Sequence, residues 1–135
     1  MYHVSMKEDV ESALRGLIAR AEGDRDVLAI ILFGSQARGD AGPGSDVDVC
    51  VVLEAGVPSG IEASRKRLDY LAGGDLDVKV FQQLPLYIRS RVLKEGRVLF
   101  VRDEDRLYEL AFRTVRAFED FRPYYQAYLD AVARD

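Results

Sequence analysis

The 135 residues suit about one compact domain, and 48% apolar with 31% charged residues exclude a disordered chain. The one cysteine, Cys50, leaves no intramolecular disulfide and no cysteine-rich zinc site. A net charge of −4, from 19 basic and 23 acidic residues, argues against direct nucleic-acid coating, and no apolar run approaches the ~20 residues of a membrane span.

Residues 1–9 lack the apolar stretch of a signal peptide, so a soluble, cytoplasmic setting is expected. Ser5 to Glu22 predicts a first helix: Ser5 and Glu8 form a capping-box pattern, and Val10, Leu14, Leu17, Ile18 and Ala21 recur at helical spacing. Val27 to Phe33 is a continuous apolar run, as in a strand buried on both faces. Gly34-Ser35 follows, and Gln36 to Ser45 reads as a glycine-rich loop. Asp46 to Leu53 predicts a second strand, opening with alternate acidic and apolar residues.

Glu54 to Gly60 is a turn and Ile61 to Ala72 a polar helix carrying Arg65, Lys66 and Arg67. Asp75 to Phe81 alternates as a third strand, and Leu84 to Glu95 is a helix with Pro85 in its first turn. Arg97 to Val101 is a short extended segment. Asp103 to Arg122 is the longest helix, with Leu107, Leu110, Val115, Phe118 and Phe121 as its apolar stripe. Pro123 is expected to break or kink it, leaving Tyr124 to Ala133 as a last short helical piece. The fold class is α/β (α+β): one unit over residues 1–135, a small mixed sheet with flanking helices and a helical tail from about residue 103.

The chemistry concentrates between Phe33 and Asp48. Gly34 removes the Cβ that would bar a polyanion from the backbone. Ser35 offers a hydroxyl, and a turn opening there would aim backbone N–H groups at a phosphate. Asp46 and Asp48, two apart on a strand, share one face with Cα atoms roughly 7 Å apart. Carboxylates so close repel one another unless a cation lies between them, and Mg²⁺ is suited because it takes oxygen ligands from few carboxylates plus substrate phosphates. Two such ions about 3.5–4 Å apart can hold the attacking and leaving oxygens of a phosphoryl-type transfer. A third carboxylate would complete the site; Asp77 is the leading candidate and Asp75, on the same face, the alternative.

Gly34-Ser35, ten intervening residues and Asp46-x-Asp48 resemble the signature of the DNA polymerase β-like nucleotidyltransferase superfamily. The fuller string from Phe33 through Arg38 to Asp40, then Gly44 to Asp48, is similar to its minimal nucleotidyltransferase (MNT) branch. Leu84 to Phe100 and the aromatic tail from Leu107 to Leu129 also resemble MNT antitoxins, whose partners are HEPN-domain ribonuclease toxins. The match covers about residues 27 to 130. The resemblance implies a polymerase β-like fold, with Asp46, Asp48 and Asp77 as the catalytic carboxylates that bind two Mg²⁺ ions and Gly34 and Ser35 as holders of the nucleotide phosphates. It further implies AMP transfer from ATP to a tyrosine hydroxyl of a HEPN toxin, which silences the toxin. One departure is Lys79-Val80, where family members often carry a second acid.

Two other functions fit the sequence: a non-catalytic antitoxin that acts by binding, and a small-molecule nucleotidyltransferase, for which the tail is short. Arg38 is a candidate for phosphate or partner binding or a solvated loop cation. Cys50, within an apolar run, is expected to be a buried thiol. The aromatic tail (Tyr108, Phe112, Phe118, Phe121, Tyr124, Tyr125, Tyr128) exceeds the needs of a small core, so an exposed part would offer a protein-binding surface.

Overall fold

The structure is a computed structural model that describes residues 8–34, 47–58, 60–71 and 76–134. Four strands, β1 (Val27–Phe33), β2 (Val47–Leu53), β3 (Leu76–Val80) and β4 (Arg97–Val101), form a mixed sheet in the order β3-β2-β1-β4. β1 runs antiparallel to β2 and β4, whereas β2 and β3 are parallel. A parallel pair cannot be joined by a tight hairpin. Here α2 (Ile61–Leu71) lies in the connection between the two strands.

Helices cover both faces, which is why β1 is apolar throughout and β2 is apolar apart from Asp48 near its start. On one face Val47, Val49, Val51 and Leu53 of β2, with Leu76, Val78 and Val80 of β3, meet α1 (Glu8–Glu22) and α2. Leu14, Leu17 and Ala21 supply the α1 contacts, and Ala63 and Tyr70 those of α2. On the other face Ala29, Ile31, Cys50 and Val52 meet α3 (Leu86–Glu95) and α4 (Glu104–Ala133) through Ile88, Val92, Leu93, Leu107 and Leu110. Asp48 and Asp77, lying at even steps from Cys50 and Lys79, belong to this second face.

Two polar fixtures join the layers. The Arg102 guanidinium donates to the carbonyls of Ala21 (2.6 Å), Glu22 (3.2 Å), Asp24 (3.1 Å) and Val27 (2.9 Å). These include carbonyls at the end of α1 that no helical N–H can reach. Lys66 Nζ and the Tyr70 hydroxyl of α2 donate to the Asp24 carboxylate at 2.9 and 2.8 Å. Burial raises the Asp24 pKa, but the hydrogen bonds from Lys66, Tyr70 and the Asp26 N–H outweigh it, with the Lys66 charge, and leave the carboxyl below its ordinary value.

The observed elements match the expected ones to within a few residues, with two differences. Phe81 leaves β3 and opens a 3₁₀ turn, Phe81–Gln83, with its ring fully buried on the α3–α4 face. The Gln82 side chain holds the turn by accepting from the Leu53 N–H at 3.1 Å and donating to the Leu53 carbonyl at 2.9 Å. The second difference is that α4 runs unbroken through Pro123. Proline removes one i→i−4 hydrogen bond and crowds the carbonyl four residues back. Around Pro123 the helix is exposed, so water can take the freed carbonyl. The Tyr125 ring also bridges the position, lying 6.2 Å from Phe118, 6.0 Å from Phe121 and 5.3 Å from Tyr87 of α3. The Ser5–Glu8 cap and the loop from Gln36 to Ser45 lie outside the described residues. Among the described residues no helix is long and apolar enough to cross a membrane.

Candidate active site

The end of β1 and the beginnings of β2 and β3 meet at one edge of the sheet. Phe33 pairs with Asp48 across the antiparallel ladder, and Asp48 pairs with Asp77 across the parallel one. The two carboxylates therefore sit side by side on adjacent strands, which are spaced about 4.8 Å apart. Each is partly exposed, while their neighbours Val47, Val49, Leu76 and Val78 are buried on the opposite face. The apolar alternation thus fixes both the register and the direction in which the acids project.

Gly34 abuts them. Its φ of 76° lies in the left-handed region, and a Cβ added there would collide with Asp48 Oδ2. Glycine serves twice here, for the turn and for close approach of the carboxylate to the backbone. A cleft of about 190 Å³ opens beside it, lined by Phe33 and Gly34 and, from α3, Ile88, Arg91, Val92 and Glu95. Arg91 and Glu95 face each other over one helical turn at 3.5 Å. On β3, Lys79 Nζ lies 3.6 Å from Asp77 Oδ1. Cys50, next along β2 on the same face, is fully buried; desolvation pushes its thiol pKa far up, so it is no nucleophile.

Of the expected site residues, the structure brings Gly34, Asp48 and Asp77 together. Ser35, Arg38, Asp46 and Asp75 lie outside the described residues. Among the described residues no group of three or more His, Cys, Asp or Glu side chains is placed to hold a metal. The pair offers two hard oxygen donors side by side, a set that fits Mg²⁺ and needs one further carboxylate. Arg91 and Glu95 escaped the sequence reading. Their i,i+4 spacing marks a surface pair on any helix, and only the docking of α3 against the end of β1 brings them to the cleft.

A mixed sheet in this order, helices on both faces and an acid pair behind a glycine turn define a nucleotidyltransferase class. The chain belongs to the polymerase β nucleotidyltransferase family: residues 16–105 match the family described as polymerase beta, nucleotidyltransferase. It is similar to a Methanocaldococcus jannaschii protein that carries the provisional name protein adenylyltransferase, at 32% identity over 96 residues, 70% of this chain and 71% of that protein. Solved structures share the fold. One is a chain from a toxin–antitoxin complex crystallised with AMP-PNP, at 22% identity and TM-score 0.67 over 91% of this chain and 98% of that one. Another comes from the complex of a tri-AMPylated Shewanella oneidensis HEPN toxin with its MNT antitoxin, at 19% identity and TM-score 0.64 over 91% and 95% of the two chains.

Proposed function

We propose that this chain is an MNT-type protein adenylyltransferase that transfers AMP from ATP to a tyrosine hydroxyl of a HEPN ribonuclease toxin and so acts as its antitoxin. The observation that carries the reading is the in-register Asp48–Asp77 pair beside the left-handed Gly34. The M. jannaschii relative bears the name of such an enzyme, and the neighbours of like fold come from complexes with toxins, one AMPylated and one with an ATP analogue. A cytoplasmic setting goes with this reading.

In the reaction, the acceptor oxygen bonds to the α-phosphorus as the bond to the β-phosphate breaks. Pyrophosphate leaves and the hydroxyl proton passes to a carboxylate or to water. Gly34, and with it Ser35 and Arg38, would hold the phosphates, since the missing Cβ leaves the backbone open to an anion. Asp46, Asp48 and Asp77 would hold two Mg²⁺ ions. When bound, Mg²⁺ supplies charge neutralisation on the triphosphate and favours the deprotonated acceptor. Asp77, at the outer strand, is the carboxylate assigned to orient the hydroxyl and accept its proton. Orientation of the two reactants and electrostatic stabilisation supply most of the acceleration.

The acceptor is a protein in this reading because α4 presents Tyr108, Phe112, Tyr124 and Tyr128 at 54–75% exposure, an aromatic surface suited to docking. The same surface favours a second reading, inhibition by binding alone. Incubation of both proteins with labelled ATP and Mg²⁺ separates them. Label and whole-AMP mass steps are expected on the toxin with the wild type, falling by at least about 100-fold with Asp48→Asn, on the scale of losing a transition-state charge partner. A variant that still silences the toxin without transferring label would establish inhibition by binding.

A further inference from the structure

Lys79 follows Asp77 by two positions on β3, so both side chains leave the same face of the sheet, the face that carries Asp48. Its main chain is fixed from three sides. Val78 and Val80 are buried on the opposite face, β2 pairs along one edge, and Arg67 Nε donates to the Val78 carbonyl at 2.9 Å on the way. The ammonium then reaches to 3.6 Å from Asp77 Oδ1, with the two side chains 40% and 36% exposed. The cross-strand neighbour, Cys50, is buried and carries no charge to hold it. Among the described residues, Arg91 of α3 is engaged with Glu95.

We propose that Lys79 is a positioning residue with two opposed effects, competing with a divalent cation for Asp77 in the nucleotide-free protein and attracting the triphosphate once nucleotide arrives. The proposal rests on the nucleotidyltransferase reading of the Asp48–Asp77 pair. An ammonium is a compact charge on a flexible stem, so it can turn from a carboxylate to a phosphate without moving the backbone. A carboxylate oxygen engaged with it must be released before a metal can take that oxygen. The consequence is order: free protein holds metal weakly, and metal enters together with nucleotide.

The test is Mn²⁺ binding to the intact chain followed by electron paramagnetic resonance, without nucleotide, together with binding of AMP-PNP at saturating Mg²⁺. Lys79→Met is expected to bind Mn²⁺ about two- to five-fold more tightly, the span a half-exposed ion pair supports, and to bind AMP-PNP more weakly. Lys79→Arg, which keeps the charge but not the compact ammonium, should lie closer to the wild type than Lys79→Met in both. In an Asp77→Asn background, Lys79→Met should bring no gain in Mn²⁺ affinity. Mn²⁺ binding that requires Asp48 and Asp77 but is unmoved by Lys79→Met overturns the proposal alone, as does a gain that persists with Asp77→Asn. Mn²⁺ binding that is absent from the wild type both without nucleotide and with AMP-PNP overturns it together with the reading beneath it.

Discussion

Gly34 shows how one missing methyl group shapes the site. Its positive φ disfavours any L-residue by about 1–2 kcal/mol, and the collision with Asp48 Oδ2 adds to that. Gly34→Ala is therefore expected to lose about 1–2 kcal/mol or more in urea unfolding, and to lose nucleotide binding because the Asp48 carboxylate must swing away. Unchanged stability together with unchanged nucleotide affinity would count against this role. At this scale the sequence was informative where a residue type has few other uses: glycine after a buried strand, and acids at alternate positions opening another. It was silent on Arg102, whose four carbonyl partners come from α1, β1 and the turn between them. No local pattern marks an arginine that will cap a helix formed some 80 positions earlier.

Among the elements, α2 is tied to the α1–β1 turn by charge. Lys66 lies 2.9 Å from Asp24 and 3.0 Å from Asp26, and the Tyr70 hydroxyl completes the Asp24 carboxylate. Asp24 titrates below its unfolded value, so its contribution is present above about pH 4 and is lost as the pH falls through its folded pKa. Lys66 is desolvated, but Asp24 and Asp26 more than compensate and raise its pKa. Its contribution therefore holds up to about pH 10 and is lost above that. Asp24→Asn is expected to cost about 1–3 kcal/mol near pH 7, with the difference from wild type shrinking towards pH 3. A difference independent of pH would show that packing, and not charge, holds α2. The elements themselves were legible because β1 is apolar without interruption, β2 is apolar from Val49 onward and α1 keeps helical spacing. Pro123 misled because the helix-breaking rule weighs one lost hydrogen bond, whereas the Tyr125 contacts that offset it come from both sides of the proline and from α3.

At the scale of the whole molecule, the acid pair is a product of topology. Asp48 and Asp77 become neighbours only because β3 docks parallel to β2 in one register. The sequence reading placed Asp77, ahead of Asp75, on the right kind of strand, and the resemblance agreed with that choice; the register that puts Asp77 opposite Asp48 is visible only in the sheet. The cleft wall from α3 was beyond reach for the same reason, since it depends on where Gly96 lets the helix end meet Ile31.

That register has a thermodynamic corollary. Zipping β2 to β3 brings two anions into adjacency, so part of the favourable pairing is set against their mutual repulsion. Any divalent ion that recognises the zipped form but not the open chain acts as a folding ligand, worth about 2.7 kcal/mol at a hundredfold excess over its dissociation constant. Melting curves should accordingly climb with MgCl₂ for the wild type, beyond what the same ionic strength of NaCl produces. They should lie flat for Asp77→Asn. Equal climbs in the two proteins would mean that the ladder closes without regard to the charge it brings together.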